Sequence, residues 1–194
     1  DAVDLVVTGA QPGALYVSSL PVEKNIISGL RRKCAVLRRA FAALYGRGNR
    51  VRVQQRSVCD TGLADASVDY IFTDPPFGAN IQYAEVNFIS EAWLGRVTER
   101  TEEVIVSPHQ GKRLSDYGAL LTGAFREYFR VLKPGRYMTV AFHSTRADVW
   151  DVLRRAWEDA GFVLARFSVL DKDQRSFKQV TTRGAVSQDP LVLL

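Results

Sequence analysis

The sequence predicts an α/β protein built on a doubly wound sheet, and three observations point to it. Strand-like and helix-like patterns alternate along the chain, and two strand patterns close it. The apolar run Val68–Phe72 stops abruptly at Asp74-Pro75-Pro76-Phe77-Gly78. Proline has no N–H for a ladder, so the strand ends there and leaves an acid at its carboxyl end, the edge where open α/β sheets bind ligands. Finally, 194 residues with 46% apolar and 24% charged side chains suit one domain with an ordinary core.

Residues 1–20 are weakly patterned. Leu5-Val6-Val7 and Ala14–Val17 read as short strands separated by Gly9, Pro12 and Gly13. Residues 21–45 read as a long helix, with Ser18 or Ser19 as cap and Pro21 in the first turn. Val22, Ile26, Leu30, Cys34, Leu37, Phe41 and Leu44 recur at three- and four-residue steps, one apolar face. The other faces carry Arg31, Arg32, Lys33, Arg38 and Arg39, which could lie along phosphates or form a solvated face. Gly46 suits the helix end, and Gly46-Arg47-Gly48 follows a helix rather than a strand, so it reads as a turn and not as a dinucleotide loop.

Val51–Val58 alternates and reads as a strand closed by Cys59-Asp60-Thr61, after which 63–67 lead into the strand at Val68–Phe72. Asp65 and Asp69 fit turn and strand-start positions. Beyond Gly78, residues 89–95 look helical, with Phe88, Ala92 and Trp93 toward a core. Residues 96–113 are charged and turn-rich, an expected mobile insert over the site, with His109 read as surface. A helix follows from Ser115 or Asp116, with Leu120, Leu121, Ala124, Phe125, Tyr128 and Leu132 on its apolar face, broken by Pro134-Gly135. Tyr137–Phe142 is a strand ending at His143. Asp148–Ala160 is an amphipathic helix capped by Gly161. Strands at 162–170 and 189–194 complete the order.

The net charge of +5 and pI near 9.4 permit contact with a polyanion. Cys34 and Cys59 have no metal-ligand spacing and there are two histidines, so no metal site is expected. No apolar run approaches the roughly 20 residues of a membrane span, and no signal peptide is recognisable, so a reducing, cytoplasmic setting is expected. A chain starting at Asp1 suggests a piece of something longer or a processed chain.

Asp74-Pro75-Pro76-Phe77 resembles motif IV of the amino-methylating DNA methyltransferases, which modify adenine N6 or cytosine N4 and include the modification enzymes of restriction-modification systems. Physical chemistry accounts for these residue types. An exocyclic amino group is a poor nucleophile because its lone pair is delocalised into the base. A carboxylate accepting one N–H and a backbone carbonyl accepting the other pull that pair back onto nitrogen. Two prolines stiffen the loop so that its carbonyls are aimed in advance. An aromatic beside them can stack on the base, worth about 1–3 kcal/mol. Gly78 allows close approach or a positive φ.

The resemblance implies S-adenosyl-L-methionine as cofactor, DNA as partner, and a Rossmann-like sheet, mostly parallel with an antiparallel last strand. It implies catalytic roles for Asp74, Pro75, Pro76 and Phe77, and cofactor contacts from Asp60, Thr73 and Asp74. Gly78, Asn80, Tyr83 and His143 would line the base pocket. The ordinary alternatives are a turn acid for Asp60, loop or cap polar residues for Asn80 and Tyr83, and a structural strand-end histidine for His143. Arg130–Gly135 resembles the turn into the fifth strand of the same class, with Arg136 where most members have a second glycine. Asp74, where cytosine enzymes often have serine, favours adenine.

The likeness runs from about residue 51 to the end as the second, catalytic half of a single methyltransferase domain over 1–194, with 1–50 as an extension. The stretch 14–77 also resembles a group of large bacterial and archaeal DNA methylases. No Gly-rich turn after a first strand is present, so the fold is expected to be incomplete on its N-terminal side, with the remainder of a larger methylase chain as a partner. The competing functions are an RNA or protein amino-methyltransferase using the same loop, and a non-catalytic nucleic-acid-binding module.

Overall fold

The structure, a computed structural model, describes residues 25–45, 51–171 and 188–194. The chain divides into two units, Asp1–Gln55 and Arg56–Leu194. In the first, α1 spans Ile26–Leu44. Its cap is Asn25, whose side chain accepts the Ser28 N–H at 3.0 Å and so satisfies one of the orphan donors of the first turn. None of its residues is buried. The proposed strands at 5–7 and 14–17, the Ser18, Ser19 and Pro21 start and the Gly46–Gly48 turn lie outside the described residues.

The second unit runs β1 (Val68–Thr73), α2 (Tyr83–Leu94), a 3-10 turn (Pro108–Gln110), α3 (Leu114–Val131), β2 (Leu132–Ala141), α4 (Ala147–Ala160), β3 (Arg166–Asp171) and β4 (Gln188–Leu193). The sheet order is β1-β2-β4-β3. β1 and β2 pair in parallel, while β4 runs antiparallel to both β2 and β3. The last strand is therefore antiparallel, as expected, and β1, β2 and β3 share a direction. Among the described residues the sheet is nonetheless a four-stranded mixed one, with one parallel and two antiparallel ladders, and not a full doubly wound sheet.

Two features explain the difference. The expected strand at 51–58 is not formed: residues 51–57 have no regular structure, and Val51 and Val53 are exposed. Alternation supplies one apolar side, but a strand also needs a neighbour for its ladder. Both α3 and α4 share one core with Met138 and Val140 of β2, Phe142 just past its end and Val192 of β4, so they cover the same face of the sheet. On the opposite face Tyr70, Phe72 and Tyr137 remain exposed, although Val68–Phe72 reads as a buried run.

The core is close-packed aromatic and aliphatic matter from both helices and β2. Phe125 meets Trp157, Phe162 and Tyr128 edge to face, and Tyr117, Leu121, Val149 and Leu153 fill the rest. α3 begins at Leu114 because Asp116 reaches back to accept the Arg113 N–H at 2.7 Å. Gly161 caps α4 as expected, in the left-handed region. Pro134-Gly135 does not separate helix from strand. β2 starts at once at Leu132, and the register passes from Val68 opposite Leu132 to Tyr70 opposite Tyr137, so 133–136 bulge out of the ladder. Gly135 takes a φ of 72° there, and Asp69 ties the bulge down through Lys133 at 2.8 Å.

α2 begins at Tyr83, earlier than its pattern indicates, and leaves Trp93 and Phe88 exposed rather than in the core; Ala84 is its buried residue. Segment 96–113 is built into the unit rather than loosely inserted. Ile105 and Ser107 are fully buried, and Glu103 accepts from Ala84 N and Gln110 Nε2 at 2.9 Å each.

Candidate active site

β1 delivers Thr73 at the carboxyl end of the parallel pair, and the next residues form the loop Asp74–Gly78. Three ties hold that loop. The hydroxyl of Tyr117, on the first turn of α3, donates to the Pro76 carbonyl at 2.5 Å. Burial pushes this phenol's pKa up, so it stays a proton donor. The Gly78 carbonyl accepts the Val106 N–H at 3.1 Å, and Gly78 itself sits at φ 76°, the left-handed conformation that favours glycine. Thr73 Oγ1 lies 3.2 Å from the hydroxyl of Tyr128, further along α3 beside the Leu121–Phe125 stripe.

Phe77 is half-buried. Its ring meets Phe142 edge to face at 5.2 Å and lies tilted 6.2 Å from His143. Phe142 in turn packs on Trp150, whose indole N–H donates to Ser144 O at 2.9 Å. The turn that carries His143 is thus fixed to the same aromatic stack as the loop. Tyr83 comes to the loop from α2: burial and then the Asp74 charge raise its phenol's pKa.

A cavity of about 180 Å³ opens beside the loop, lined by Thr73, Asp74, Pro75 and Pro76 with Val58, Phe125 and Tyr128. Val58 belongs to the loop 57–63, and that loop is clamped by a buried carboxylate. Glu127 Oε1 accepts from Thr61 N at 2.9 Å and from Thr61 Oγ1 at 2.7 Å. Arg130 binds both carboxylate oxygens, at 2.8 and 2.7 Å, donates to Leu63 O at 2.9 Å and pairs with Asp65. The Arg130 and Thr61 hydrogen bonds outweigh burial and hold the Glu127 carboxyl down at about 2.

The structure therefore brings Thr73, Asp74, Pro75 and Pro76 around one cavity, with Tyr83 close to Asp74 and with Phe77, Gly78 and His143 on the adjoining stack. Asp60 is engaged in its own turn, accepting Gly62 N–H at 3.2 Å and facing Arg56 at 3.6 Å; no strand end presents it, because 51–58 is not a strand. Asn80 is exposed in the turn before α2, and His109 is exposed in the 3-10 turn. Tyr117, Glu127 and Tyr128 are the residues that sequence reasoning missed or counted only as packing. Glu127 carries a readable signal: it stands four residues before Val131 and three after Ala124, an acid on a stripe that is otherwise buried and apolar.

Among the described residues no group of three His, Cys, Asp or Glu could hold a metal ion, and no helix is long and apolar enough to cross a membrane. No family model matches the chain, and no curated protein matches it. Among solved structures the chain is similar to a "Putative DNA Modification Methylase" from Thermus thermophilus at 15% identity and a TM-score of 0.40, over 71% of this chain and 50% of that one. The selenomethionine form of that protein gives 14% identity and 0.37, over 70% and 47%. Its complex with S-adenosyl-L-methionine gives 16% and 0.40, over 71% and 52%. The chain spans about half the length of these structures, whose fold it resembles in part.

Proposed function

We propose that this chain is the catalytic segment of an S-adenosyl-L-methionine-dependent DNA amino-methyltransferase, adenine N6 favoured over cytosine N4, within a larger methylase. The observation that carries the reading is the acceptor loop. Asp74 follows a parallel strand directly, and the Pro-Pro backbone beside it is anchored by Tyr117 to the core. A flipped-out base would place its amino group against Asp74 and the Pro75 carbonyl, each accepting one N–H. The lone pair then localises on nitrogen, and the Asp74 carboxylate holds the proton of its hydrogen bond. The exposed part of Phe77 supports the base, with His143 beside it.

The residues present fit the methyl-donating end of the cofactor, which would supply an electrophilic methyl group on a sulfonium. Thr73 and Asp74 would hold it beside the carboxylate charge, and the walls of Val58, Phe125 and Tyr128 would exclude water. The cavity of about 180 Å³ is smaller than the roughly 300–1,000 Å³ of complete small-molecule sites. The rest of the cofactor, in this reading, is held by the remainder of the methylase. The small cavity and the engagement of the exposed Asp60 in its own turn are what favour the second reading, a nucleic-acid-binding module without transfer activity.

Labelled methyl transfer to duplex DNA, RNA and protein, measured for the parent chain and for Asp74→Ala, separates these. Transfer to DNA that Asp74→Ala abolishes with DNA binding unchanged is the expected result. Transfer only to RNA or protein would move the assignment to those substrates. DNA binding without transfer by the larger methylase would support the module.

A further inference from the structure

α1 carries an interaction surface of a specific kind. Ile27, Leu30, Cys34, Leu37, Phe41 and Leu44 follow one another at alternating three- and four-residue steps, the a and d positions of a heptad. Leu30-Arg31-Arg32 recurs seven residues later as Leu37-Arg38-Arg39. These apolar side chains are all exposed; Leu37, the least so of the large ones, is at 50% and Phe41 at 67%. At 100° per residue the six fall on one face within an arc of about 100°, and their strict alternation of three- and four-residue steps is the spacing of a heptad seam.

The positions bordering the seam decide what pairs with it. Arg31 and Arg38 occupy the e positions and Lys33 a g position, and α1 contains no acidic residue at all. In a parallel pair of two copies, g faces e and Lys33 meets Arg38; in an antiparallel pair, e faces e and arginines meet. Either self-pairing sets like charges beside the seam, which works against it. A helix with an apolar seam bordered by glutamates or aspartates satisfies both the seam and its flanks. We propose that α1 docks such an acid-flanked amphipathic helix of a partner protein.

The heptad spacing, repeated as Leu30-Arg31-Arg32 and Leu37-Arg38-Arg39, favours a helix over an anionic membrane. The test uses the whole chain and three-heptad synthetic peptides with Leu at a and d, flanked at e and g by Glu in one and by Lys in the other, read by fluorescence anisotropy. The Glu-flanked peptide should bind, weaken with added salt, and be preferred over the Lys-flanked one by at least about tenfold. Leu30→Asp and Leu37→Asp, on exposed positions, should each abolish binding while circular dichroism of the chain is retained. Arg31→Glu with Arg38→Glu should reverse the preference. Equal binding of both peptides, no binding of either, or binding unaffected by Leu37→Asp would overturn the proposal. So would sedimentation as a dimer that Leu37→Asp dissolves, or seam-dependent binding to phosphatidylserine vesicles in place of the peptide.

Discussion

Tyr117 and Pro76 stand 41 residues apart in sequence and are joined by a 2.5 Å hydrogen bond from a fully buried tyrosine to a loop carbonyl. This bond connects the helix layer directly to the segment that carries Asp74. Tyr117→Phe keeps the ring in the core and removes only the donor to the partly buried Pro76 carbonyl. The expected loss of stability is about 1–3 kcal/mol in chemical denaturation, with faster amide exchange at Phe77 and Gly78. In the proposed reaction the turnover rate falls while DNA affinity does not. A variant indistinguishable from the parent in both readouts would show that this bond does not hold the loop.

Acid should release the loop 57–63. The Glu127 carboxyl titrates at about 2 in the folded chain against an ordinary value of 4.5. A depressed carboxylate stabilises the fold above its unfolded pKa, and that contribution is lost as pH falls through the window from 4.5 toward 2. Glu127→Gln should flatten the acid limb of the stability profile in that window and cost stability at neutral pH, because Arg130 loses its charge partner. An unchanged acid limb in Glu127→Gln would show that another group sets it.

Gly78→Ala isolates backbone conformation from packing. A β-carbon there would meet Val149 at 3.6 Å, an ordinary contact, so space is not the obstacle. The obstacle is the φ of 76°. An L-residue held in that region costs roughly 1–2 kcal/mol. Thermal denaturation should register that loss, and Val149→Ala in the same background should not restore it. Restoration would mean that crowding, not φ, is the constraint.

Phe142→Ala should be the most damaging of these changes. Phe142 is fully buried and is the ring on which both Phe77 and Trp150 pack. Phenylalanine deletions in cores typically cost about 3–5 kcal/mol. Phe142→Leu keeps most of the volume and should retain the fold with a loosened loop, visible as altered chemical shifts at Phe77 and His143. Equal stability of Phe142→Ala and the parent would contradict the packing.

Punctuation and periodicity made the second unit legible up to a point. The Pro75-Pro76 stop located the end of β1, and the three- and four-residue steps located α3 and α4 to within a residue or two. Pairing was not legible in the same way. Val51–Val58 alternates as well as any strand in the chain, yet it ladders with no strand among the described residues, and the insertion of β4 between β2 and β3 is a tertiary choice that no local pattern encodes. The loop residues could be read because proline and glycine constrain φ locally. Their anchors could not, since Tyr117 and Tyr128 look like any aromatic on an apolar stripe until the partner atom is known. The heptad in α1 is present in the letters, but its steps satisfy an ordinary buried face equally well.

The strand order also dictates when the sheet can close. Among the described residues β3 pairs with β4 alone, through the register from Arg166 opposite Leu193 to Asp171 opposite Gln188, and β4 is the later of the two in the chain. A nascent chain emerging from the ribosome can complete β1, β2, α3 and α4 while β3 waits with both edges unpaired. Closure therefore waits for β4, which must slot between two already extruded neighbours. Until it does, β3 is an open template for pairing with another chain.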